Sequence, residues 1–277
     1  MKFEKTFKKV KQERKTLKKA SCAKETALKS AKDVDVNNAN GGRRPPVYSE
    51  SKAIDLDLKK LEENRIVCLD PLKLESEYYK VLRTSIQQRT YEQNWNTIMV
   101  TSVQPGEGKT LTSINLAISF AKAFDQTVLL VDCDLKRQSV HRYLDFKMDK
   151  GLIDYLTTGC ELKELIVWPK IDKLTVISGG KTTIESAEHM GSLRMKRFVD
   201  EVKHRYDDRY VFFDVPPILS GADTIAFAPM VDGILMVVEE GRTSQKELLD
   251  ALELIPVDKF LGFVLNRRKN PPRIYYY

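Results

Sequence analysis

The segment that most restricts the fold of this chain is Thr101–Thr110, which reads TSVQPGEGKT. A short apolar run, Thr97–Val100, precedes it, and apolar residues at helical spacing follow it from Leu111 to Phe120. A strand, a turn that contains glycines, and a helix that starts near Gly-Lys-Thr together form the context of a P-loop. The glycines allow backbone N–H groups to converge on phosphate oxygens, and the helix N-terminus adds a partial positive charge. The segment therefore predicts a phosphate-binding loop between a strand and a helix.

The residues of this loop have distinct predicted roles. Lys109 is expected to reach the β- and γ-phosphates, and the Thr110 hydroxyl is expected to bind Mg²⁺. Val103 occupies the position of the first glycine in the pattern G-x-x-x-x-G-K-[ST], and an ordinary tight turn is the alternative interpretation. Because the flanking strand and helix are both present, we expect the loop to bind a nucleoside triphosphate. The candidate nucleotide-binding residues of the loop are Gly106, Glu107, Gly108, Lys109, Thr110 and Leu111.

Length and composition limit the class of protein. The 277 residues accommodate one α/β domain of about 200 residues with extensions. The chain contains neither an apolar run of 18 residues nor an apolar leader segment, so we expect no transmembrane helix and no signal peptide. Its four scattered cysteines predict reduced cytosolic thiols rather than a disulfide framework or a zinc site.

The net charge of +7 is concentrated at the N-terminus. Residues 1–34 contain twelve Lys or Arg and four Asp or Glu, so they carry +8 and leave −1 for the rest of the chain. The nearly neutral remainder argues against a nucleic-acid-binding core. Apolar residues at nearly helical spacing within residues 1–34 predict an amphipathic helix on an anionic membrane surface or a partner, and a solvated tail is the equal alternative.

These patterns divide the chain into three parts. Residues 1–52 are interpreted as a basic N-terminal extension and a linker rich in Asn, Gly and Pro. Residues 53–270 are interpreted as the P-loop domain, with regular structure expected from Asp70 onward, and residues 271–277 as a tyrosine-rich tail.

Strand and helix patterns alternate along the P-loop domain. Uninterrupted apolar runs are typical of parallel strands that are buried on both faces. The predicted fold is therefore α/β, a doubly wound and mostly parallel sheet with helices on both faces and its ligand at the carboxyl ends of the strands. Besides the strand before the P-loop, strands are predicted over Thr127–Val131, Leu174–Ser178, Tyr210–Phe213, Gly233–Val238 and Phe260–Leu265. Helices are predicted over Leu74–Arg89, Thr110–Ala123, Glu185–His204 and Ser244–Leu254.

Three aspartates stand at the ends of two predicted strands. Asp132 and Asp134 end the run VLLVDCD, and Asp214 ends the run VFFD in a Walker B arrangement. A lone aspartate after a strand is usually a cap or turn residue. Three of them on strands expected to neighbour the P-loop favour a site for Mg²⁺ and nucleotide.

The three carboxylates allow a division of roles. We expect Asp134 and Asp214 to assist Mg²⁺ together with Thr110. Asp132 is then the base that takes a proton from a water or from a phenol, whose unperturbed pKa is about 10. The roles of Asp132 and Asp134 are interchangeable on this reasoning. With Lys109, these aspartates are the predicted catalytic residues.

With these residues in place, the chain resembles the bacterial tyrosine kinases (BY-kinases) of capsular and exopolysaccharide synthesis over about residues 70–277. PGEGKT is similar to their Walker A motif, VLLVDCDLKR to their Walker A′ motif, and VFFDVPP to their Walker B motif. In that family the first Walker A position is often not glycine, as at Val103. The resemblance implies ATP and Mg²⁺ as cofactors and phosphorylation of tyrosines on neighbouring subunits.

Two further segments resemble features of this family. Glu77, Lys80 and Arg83 resemble its Glu-x-x-Arg-x-x-Arg helix of ring-shaped self-association, with Lys80 in place of the first arginine. An ordinary charged helix surface is the alternative. The chain ends in a tyrosine cluster, which the resemblance implies is the phosphoacceptor, and an aromatic tail docked on the protein's own surface is the alternative. The candidate acceptors are Tyr275, Tyr276 and Tyr277.

Two residues outside the P-loop are further candidates for nucleotide contacts. Arg137, in the Walker A′ segment, is expected to steady phosphate or substrate, with a surface ion pair as the alternative. Asn266, at the end of the last predicted strand, matches an asparagine that contacts the adenine edge in related P-loop ATPases, with a turn-forming role as the alternative.

The resemblance implies a cytoplasmic autokinase that regulates polysaccharide synthesis or export at the inner face of the cell membrane. Its implied partners are further copies of itself in a ring-like oligomer, a membrane-embedded chain-length or export protein that activates it, and a cognate tyrosine phosphatase. No nucleic acid is expected.

Two other functions compete with this interpretation. A Min/Par-type partition or positioning ATPase has a signature lysine where this chain has Gln104, and it leaves the tyrosine tail unexplained. A non-catalytic scaffold leaves the intact lysine, threonine and three aspartates of the predicted site without a role.

Overall fold

The computed structural model of this chain describes residues 52–123 and 125–270. Eight strands form one sheet in the order β1-β4-β5-β3-β6-β2-β7-β8. Only β4 and β5 pair antiparallel among the described strands. The predicted doubly wound, mostly parallel sheet is therefore confirmed. The strands are β1 (Lys52–Ala53), β2 (Thr97–Ser102), β3 (Thr127–Asp132), β4 (Val167–Trp168), β5 (Leu174–Ile177), β6 (Arg209–Asp214), β7 (Gly233–Glu239) and β8 (Phe260–Asn266).

The central strands are buried on both faces, as their uninterrupted apolar sequences predict. All six residues of β2, β3 and β6 are buried. Successive side chains of a strand point to opposite faces, so each strand contributes to two separate cores. In β3, Leu129 and Val131 belong to one core, whereas Val128 and Leu130 belong to the other.

Helices cover the two faces of this sheet. The long helices α2 and α3 contribute Ile86 and Phe120 to the core that contains Val128. On the opposite face, α8 contributes Phe198 and α10 contributes Leu252 to the core that contains Leu129. The helices are α1 (Leu58–Glu63), α2 (Leu74–Thr90), α3 (Lys109–Ala121), α4 (Val140–Tyr143), α5 (Leu152–Thr158), α6 (Leu162–Leu165), α7 (Ser186–Met190), α8 (Leu193–His204), α9 (Ala222–Phe227) and α10 (Gln245–Glu253). None of the helices within the described ranges is long and apolar enough to cross a membrane.

Two expectations about the elements were wrong. Regular structure begins before Asp70, because α1 precedes it and its Leu61 is fully buried in the core. The single helix predicted over Glu185–His204 is two helices, since the chain breaks at Gly191 and Ser192. Ser192 has extended backbone angles, and its Oγ accepts a hydrogen bond from the N–H of Met195 at 3.1 Å, which caps α8.

The register of the central strands brings the predicted site residues to one edge. Asp132, at the end of β3, lies directly opposite Asp214, at the end of β6. Asp214 also lies opposite Val100 of β2, two residues before the end of that strand, where the loop to α3 begins. The predicted N-terminal extension, apart from Lys52, and the tyrosine tail of residues 271–277 lie outside the described residues.

Candidate active site

A cavity of about 550 Å³ opens at the carboxyl ends of the central strands. Its walls come from the P-loop, the segment after β3, the segment after β6 and the end of β8. This is the position in which doubly wound sheets bind their ligands. The lining residues include Arg65, Gly106, Gly108, Lys109, Thr110, Leu111, Asp134, Lys136, Arg137, Ser139, Arg142, Tyr143, Asp223, Asn266 and Arg267.

The P-loop has the backbone geometry of a phosphate cradle. Gly106 and Gly108 have φ of +87° and +92°, a region that residues with a side chain rarely adopt. A Cβ on Gly108 would lie 2.2 Å from Nδ2 of Asn266, so a side chain there would displace this amide group. Helix α3 begins at Lys109, and the first N–H groups of a helix have no partner within the helix. The loop can therefore offer backbone donors to an anion.

Lys109 is almost buried and is held between two carboxylates. Its Nζ lies 3.1 Å from Oδ2 of Asp134 and 3.2 Å from Oδ2 of Asp214, and the lysine side chain is 11% exposed. The sequence separates these partners by 25 and 105 residues, so only the sheet brings them together. In this arrangement the lysine neutralises part of a strongly acidic group of side chains.

Asp214 is fully buried and receives several side-chain hydrogen bonds. Thr110 Oγ1 donates to its Oδ2 at 2.6 Å, and Ser113 Oγ donates to its Oδ1 at 3.1 Å. Thr110 Oγ1 also lies 3.1 Å from Oγ of Ser139. A threonine hydroxyl and an aspartate at this distance are the pair that holds Mg²⁺ in P-loop enzymes.

Asp132 and Asp134 have different surroundings although they are two residues apart. Asp134 lines the cavity, whereas Asp132 is fully buried and is not among the lining residues. The Asp132 carboxylate accepts backbone hydrogen bonds from Asp134 at 3.1 Å, Ser139 at 2.9 Å and Val140 at 3.0 Å. Asp132 therefore shapes the turn that presents Asp134 to the cavity.

Burial and like charges shift the ionisation of the group. Burial, reinforced by the charge of Asp214, raises the pKa of Asp132 to about 7. Burial also raises the pKa of Asp214, against the opposing effects of Lys109 and Thr110. Burial lowers the pKa of Lys109, but the charges of Asp214 and Asp134 outweigh this effect and hold it above its usual value. The site is therefore an acidic centre that one ammonium group only partly neutralises.

The oxygen atoms of this centre suit a hard divalent cation. Thr110, Asp134 and Asp214 supply a hydroxyl and carboxylates, which are ligands that Mg²⁺ prefers. In the part of the chain that the structure describes, no group of three or more His, Cys, Asp or Glu residues is arranged to hold a metal alone. Mg²⁺ in nucleotide sites is typically bound by one or two carboxylates and completed by phosphate oxygens and water. The residues present thus fit Mg²⁺ that arrives with a nucleotide.

The other predicted nucleotide contacts lie at different parts of the cavity wall. Arg137 and Asn266 both line the cavity. Nδ2 of Asn266 donates to the backbone oxygen of Glu107 at 2.8 Å, so this asparagine also supports the P-loop. Glu107 is fully buried and is not among the residues that line the cavity. The other predicted nucleotide-binding residues of the loop all line it.

The predicted self-association residues lie on helix α2. Lys80 forms an ion pair with Glu77 one turn away. Arg83 is half-buried, and its Nη1 donates to the backbone oxygen of Ser119 at the end of α3. Arg83 therefore has a role in packing α2 on the P-loop helix, besides any role in self-association. The predicted acceptors Tyr275, Tyr276 and Tyr277 lie outside the described residues.

Several residues of the site were missed by sequence reasoning. Ser139 and Arg142 line the cavity from the segment after the Walker A′ motif, and Arg65 lines it from the connection after α1. Lys136 lines it too and pairs with Asp223 of α9 at 2.8 Å. Lys136 and Ser139 are close in sequence to Arg137, a signal that could have drawn attention to them. Arg65 has no such signal, because long-range packing alone brings it to the cavity.

The chain is similar to a known protein family, to proteins of known sequence and to solved structures. The family model described as "AAA domain" matches residues 95–256. Tyrosine-protein kinase YwqD of Bacillus subtilis (strain 168) is 32% identical over 212 residues, which are 76% of this chain and 88% of YwqD. The kinase domain of the Escherichia coli tyrosine kinase ETK is similar in structure, with a TM-score of 0.69 and 28% identity over 76% of this chain and 84% of that chain.

A longer relative contains a matching region. The succinoglycan biosynthesis transport protein ExoP of Rhizobium meliloti (strain 1021) is 28% identical over 232 residues, which are 80% of this chain but 28% of ExoP. The match to YwqD, in contrast, extends over most of both chains. The P-loop, the two aspartate motifs and these similarities lead to one conclusion: the chain belongs to the family of bacterial tyrosine-protein kinases.

Proposed function

We propose that this tyrosine kinase binds Mg²⁺–ATP in the cavity and transfers the γ-phosphate to tyrosines at the C-terminus of a neighbouring copy. The observation that carries the proposal is the position of Lys109 between Asp134 and Asp214, beside Thr110. The ammonium group at the start of the helix can bind phosphate oxygens, and the hydroxyl and carboxylate oxygens beside it can bind a phosphate-bound cation.

The P-loop residues are assigned to the phosphates. The N–H groups at the start of α3 and the Lys109 ammonium bind and orient the phosphate chain. Thr110 and Asp214 hold Mg²⁺, which neutralises charge on the phosphate oxygens when it is bound. Arg137 and Asn266, at the cavity wall, are assigned to the phosphate or substrate and to the base, respectively.

The phenol proton is assigned to Asp134. A general base must come within hydrogen-bonding reach of the proton that it removes. Asp134 lines the cavity, whereas both oxygens of Asp132 accept backbone N–H groups behind it. The raised pKa of Asp132 suits a base near neutral pH, but access to the substrate is the stricter condition. We therefore assign the base role to Asp134, leave Mg²⁺ to Thr110 and Asp214, and assign Asp132 to support of the turn.

Two variants separate these assignments. In Asp134→Asn, Lys109 keeps Asp214 as its partner, so the protein is expected to fold. The variant is expected to abolish phosphotyrosine formation at saturating Mg²⁺–ATP, because it removes the proton acceptor from the cavity. Asp132→Asn is expected to lower the melting temperature, since an amide NH₂ would face one of the backbone donors. A folded Asp134→Asn variant with full activity would contradict the assignment.

The tyrosine tail is the proposed acceptor. Tyr275, Tyr276 and Tyr277 follow two prolines at the end of the chain, and a terminal segment can reach the site of another subunit. Helix α2 is the proposed self-association surface, with Glu77, Lys80 and Arg83 as its charged residues, in a ring-like assembly.

The proposed cellular role is the regulation of exopolysaccharide or capsule synthesis or export. The similarity to ExoP, whose name describes succinoglycan biosynthesis and transport, supports this role. The proposed partners are a membrane-embedded chain-length or export protein and a cognate tyrosine phosphatase, at the cytoplasmic face of the membrane. The basic residues 1–34 are proposed to contact anionic lipid there.

The Min/Par-type alternative is not supported. The side chain of Gln104, at the position of the signature lysine in that group, donates to Glu247 of its own chain. The relatives of this chain named above are tyrosine kinases or a polysaccharide transport protein.

Incubation of the purified full-length protein with Mg²⁺–ATP, followed by phosphotyrosine detection, tests the proposal. Labelling is expected in the wild type and is expected to disappear in Lys109→Met. Replacement of Tyr275, Tyr276 and Tyr277 by phenylalanine is expected to reduce it to background. The matched control is Tyr91→Phe, since Tyr91 is 82% exposed but lies far from the tail in sequence. Full labelling of the triple variant would contradict the acceptor assignment.

A further inference from the structure

Glu107 is a buried carboxylate within a loop that is built to attract anions. It is fully buried, whereas its neighbours Gly106 and Gly108 line the cavity. Burying a charged group is costly unless hydrogen bonds compensate for the lost water. The negative charge also opposes the phosphate that the loop binds. The hydrogen bonds that stabilise the buried Glu107 carboxylate therefore indicate a role for this residue in the P-loop.

The Glu107 carboxylate joins the P-loop to the loop that connects β7 and α10, residues 240–244. One oxygen, Oε2, accepts the backbone N–H of Gln104 at 2.8 Å. The other, Oε1, accepts the hydroxyl of Thr243 in the β7–α10 loop. Thr243 is itself held at the end of β7, because its Oγ1 accepts the N–H of Glu239 at 3.2 Å. The carboxylate thus points away from the cavity and toward a neighbouring element.

The same loop holds the P-loop at a second point. Arg242 Nη2 donates to the backbone oxygen of Pro105 at 2.9 Å. Its guanidinium is fixed by Glu239, which lies 3.3 Å from Nη1. A Cβ on Gly106 would lie 3.1 Å from Nη1 of Arg242, so the guanidinium packs closely on the outer side of the glycine.

The start of α10 adds a third contact. Glu247 completes a capping box with Ser244, since Oε2 of Glu247 accepts the Ser244 N–H at 2.8 Å. Its other oxygen, Oε1, accepts the side-chain amide of Gln104. The β7–α10 loop and the first turn of α10 therefore contact Gln104, Pro105 and Glu107.

We propose that the β7–α10 loop, through Thr243 and Arg242, positions the P-loop for nucleotide binding. These residues act as positioning residues and do not themselves contact the nucleotide. The contacts hold the side-chain amide of Gln104 and the carboxylate of Glu107 away from the cavity. The N–H groups at the start of α3 then remain available to the phosphates. A loop that is already ordered loses less conformational entropy on binding, so these contacts raise affinity. The inference rests on the proposed nucleotide site.

The test is calorimetric titration of the full-length protein with Mg²⁺–ADP, combined with melting curves without nucleotide. Thr243→Val removes the hydroxyl and keeps the side-chain shape, and it is expected to weaken Mg²⁺–ADP binding about tenfold. Thr243→Ser restores the hydroxyl and is expected to return the affinity to within about twofold of wild type. Arg242→Gln, at an exposed side chain that cannot disturb the core, is expected to weaken binding in the same direction.

The matched control is Thr158→Val at the end of α5. It removes a hydroxyl that donates to the backbone oxygen of Asp154, and it is expected to leave the affinity for Mg²⁺–ADP unchanged. Unchanged affinity in Thr243→Val and Arg242→Gln would overturn the inference. Failure of Thr243→Ser to restore binding would also overturn it, because the hydroxyl would then not be the cause. If the wild type itself does not bind Mg²⁺–ADP, the proposed function fails instead, so the two failures are distinguishable.

Discussion

Replacing Lys109 by methionine should destabilise the protein even without nucleotide. The lysine ammonium lies 3.1 Å from Asp134 and 3.2 Å from Asp214, and these two carboxylates are 8% and 0% exposed. Methionine fills a similar volume, so packing changes little and the charge is the main loss. The carboxylates would then repel one another with no cation between them.

The size of the effect follows from this burial. Removing one partner of a buried ion pair costs about 3–5 kcal/mol, because a buried charge is left uncompensated. In a domain of this size, each kcal/mol corresponds to about 2–4 °C in melting temperature. The Lys109→Met variant should therefore melt about 6–20 °C below the wild type in the presence of EDTA.

Circular dichroism melting of the nucleotide-free protein measures this difference. The matched control is Lys60→Met, because Lys60 pairs with Asp145 at 2.7 Å while the two side chains remain 54% and 40% exposed. Exposed pairs contribute little, so this variant should melt close to the wild type. If Lys109→Met melts within about 2 °C of wild type, less than 1 kcal/mol is involved and the reasoning is refuted.

A second variant checks the electrostatic cause. Adding Asp214→Asn to Lys109→Met removes one excess negative charge and keeps an acceptor oxygen for Thr110. The double variant should melt above Lys109→Met, with a coupling energy larger than about 0.5 kcal/mol in the cycle of four proteins. Additive effects would indicate that lost packing, rather than charge, explains the single variant.

Three other perturbations test different parts of the structure. Gly108→Ala should weaken Mg²⁺–ADP binding in calorimetry, because φ of +92° strains a residue with a Cβ and this Cβ would displace Nδ2 of Asn266, 2.2 Å away. Leu61→Ala should lower the urea-derived free energy of unfolding by about 2–5 kcal/mol, since this leucine is fully buried in α1, and no change would place α1 outside the cooperative fold. Burial raises the pKa of Asp232, but hydrogen bonds from Lys203 and other donors outweigh this and hold it below its usual value. Its stabilising contribution is thus present above about pH 3.9 and is lost as pH falls through the lowered pKa. The stability deficit of Asp232→Asn in urea titrations should therefore shrink below about pH 4, and a constant deficit would contradict the ion-pair explanation.

The strands that position the site were predictable from sequence because they are buried on both faces. Continuous apolar runs identified β3, β5, β6, β7 and β8 to within one residue at each end. The strands β1 and β4 have two residues each, too few to produce a recognisable pattern. The break between α7 and α8 was missed because the apolar pattern continues on both sides of Gly191.

Local sequence was sufficient for the P-loop, for the aspartates at the strand ends and for the resemblance to the kinase family, since each depends on residues that are adjacent along the chain. Contacts across the sheet decided the rest. Lys109 meets Asp214 across 105 residues, and Glu107 meets Thr243 across 136. The difference between Asp132 and Asp134 likewise comes from the turn that folds over them, because burial of one and exposure of the other to the cavity depend on neighbouring elements. The local sequence determines which chemical groups are present, whereas their burial and their hydrogen-bond partners are determined only when distant segments pack together.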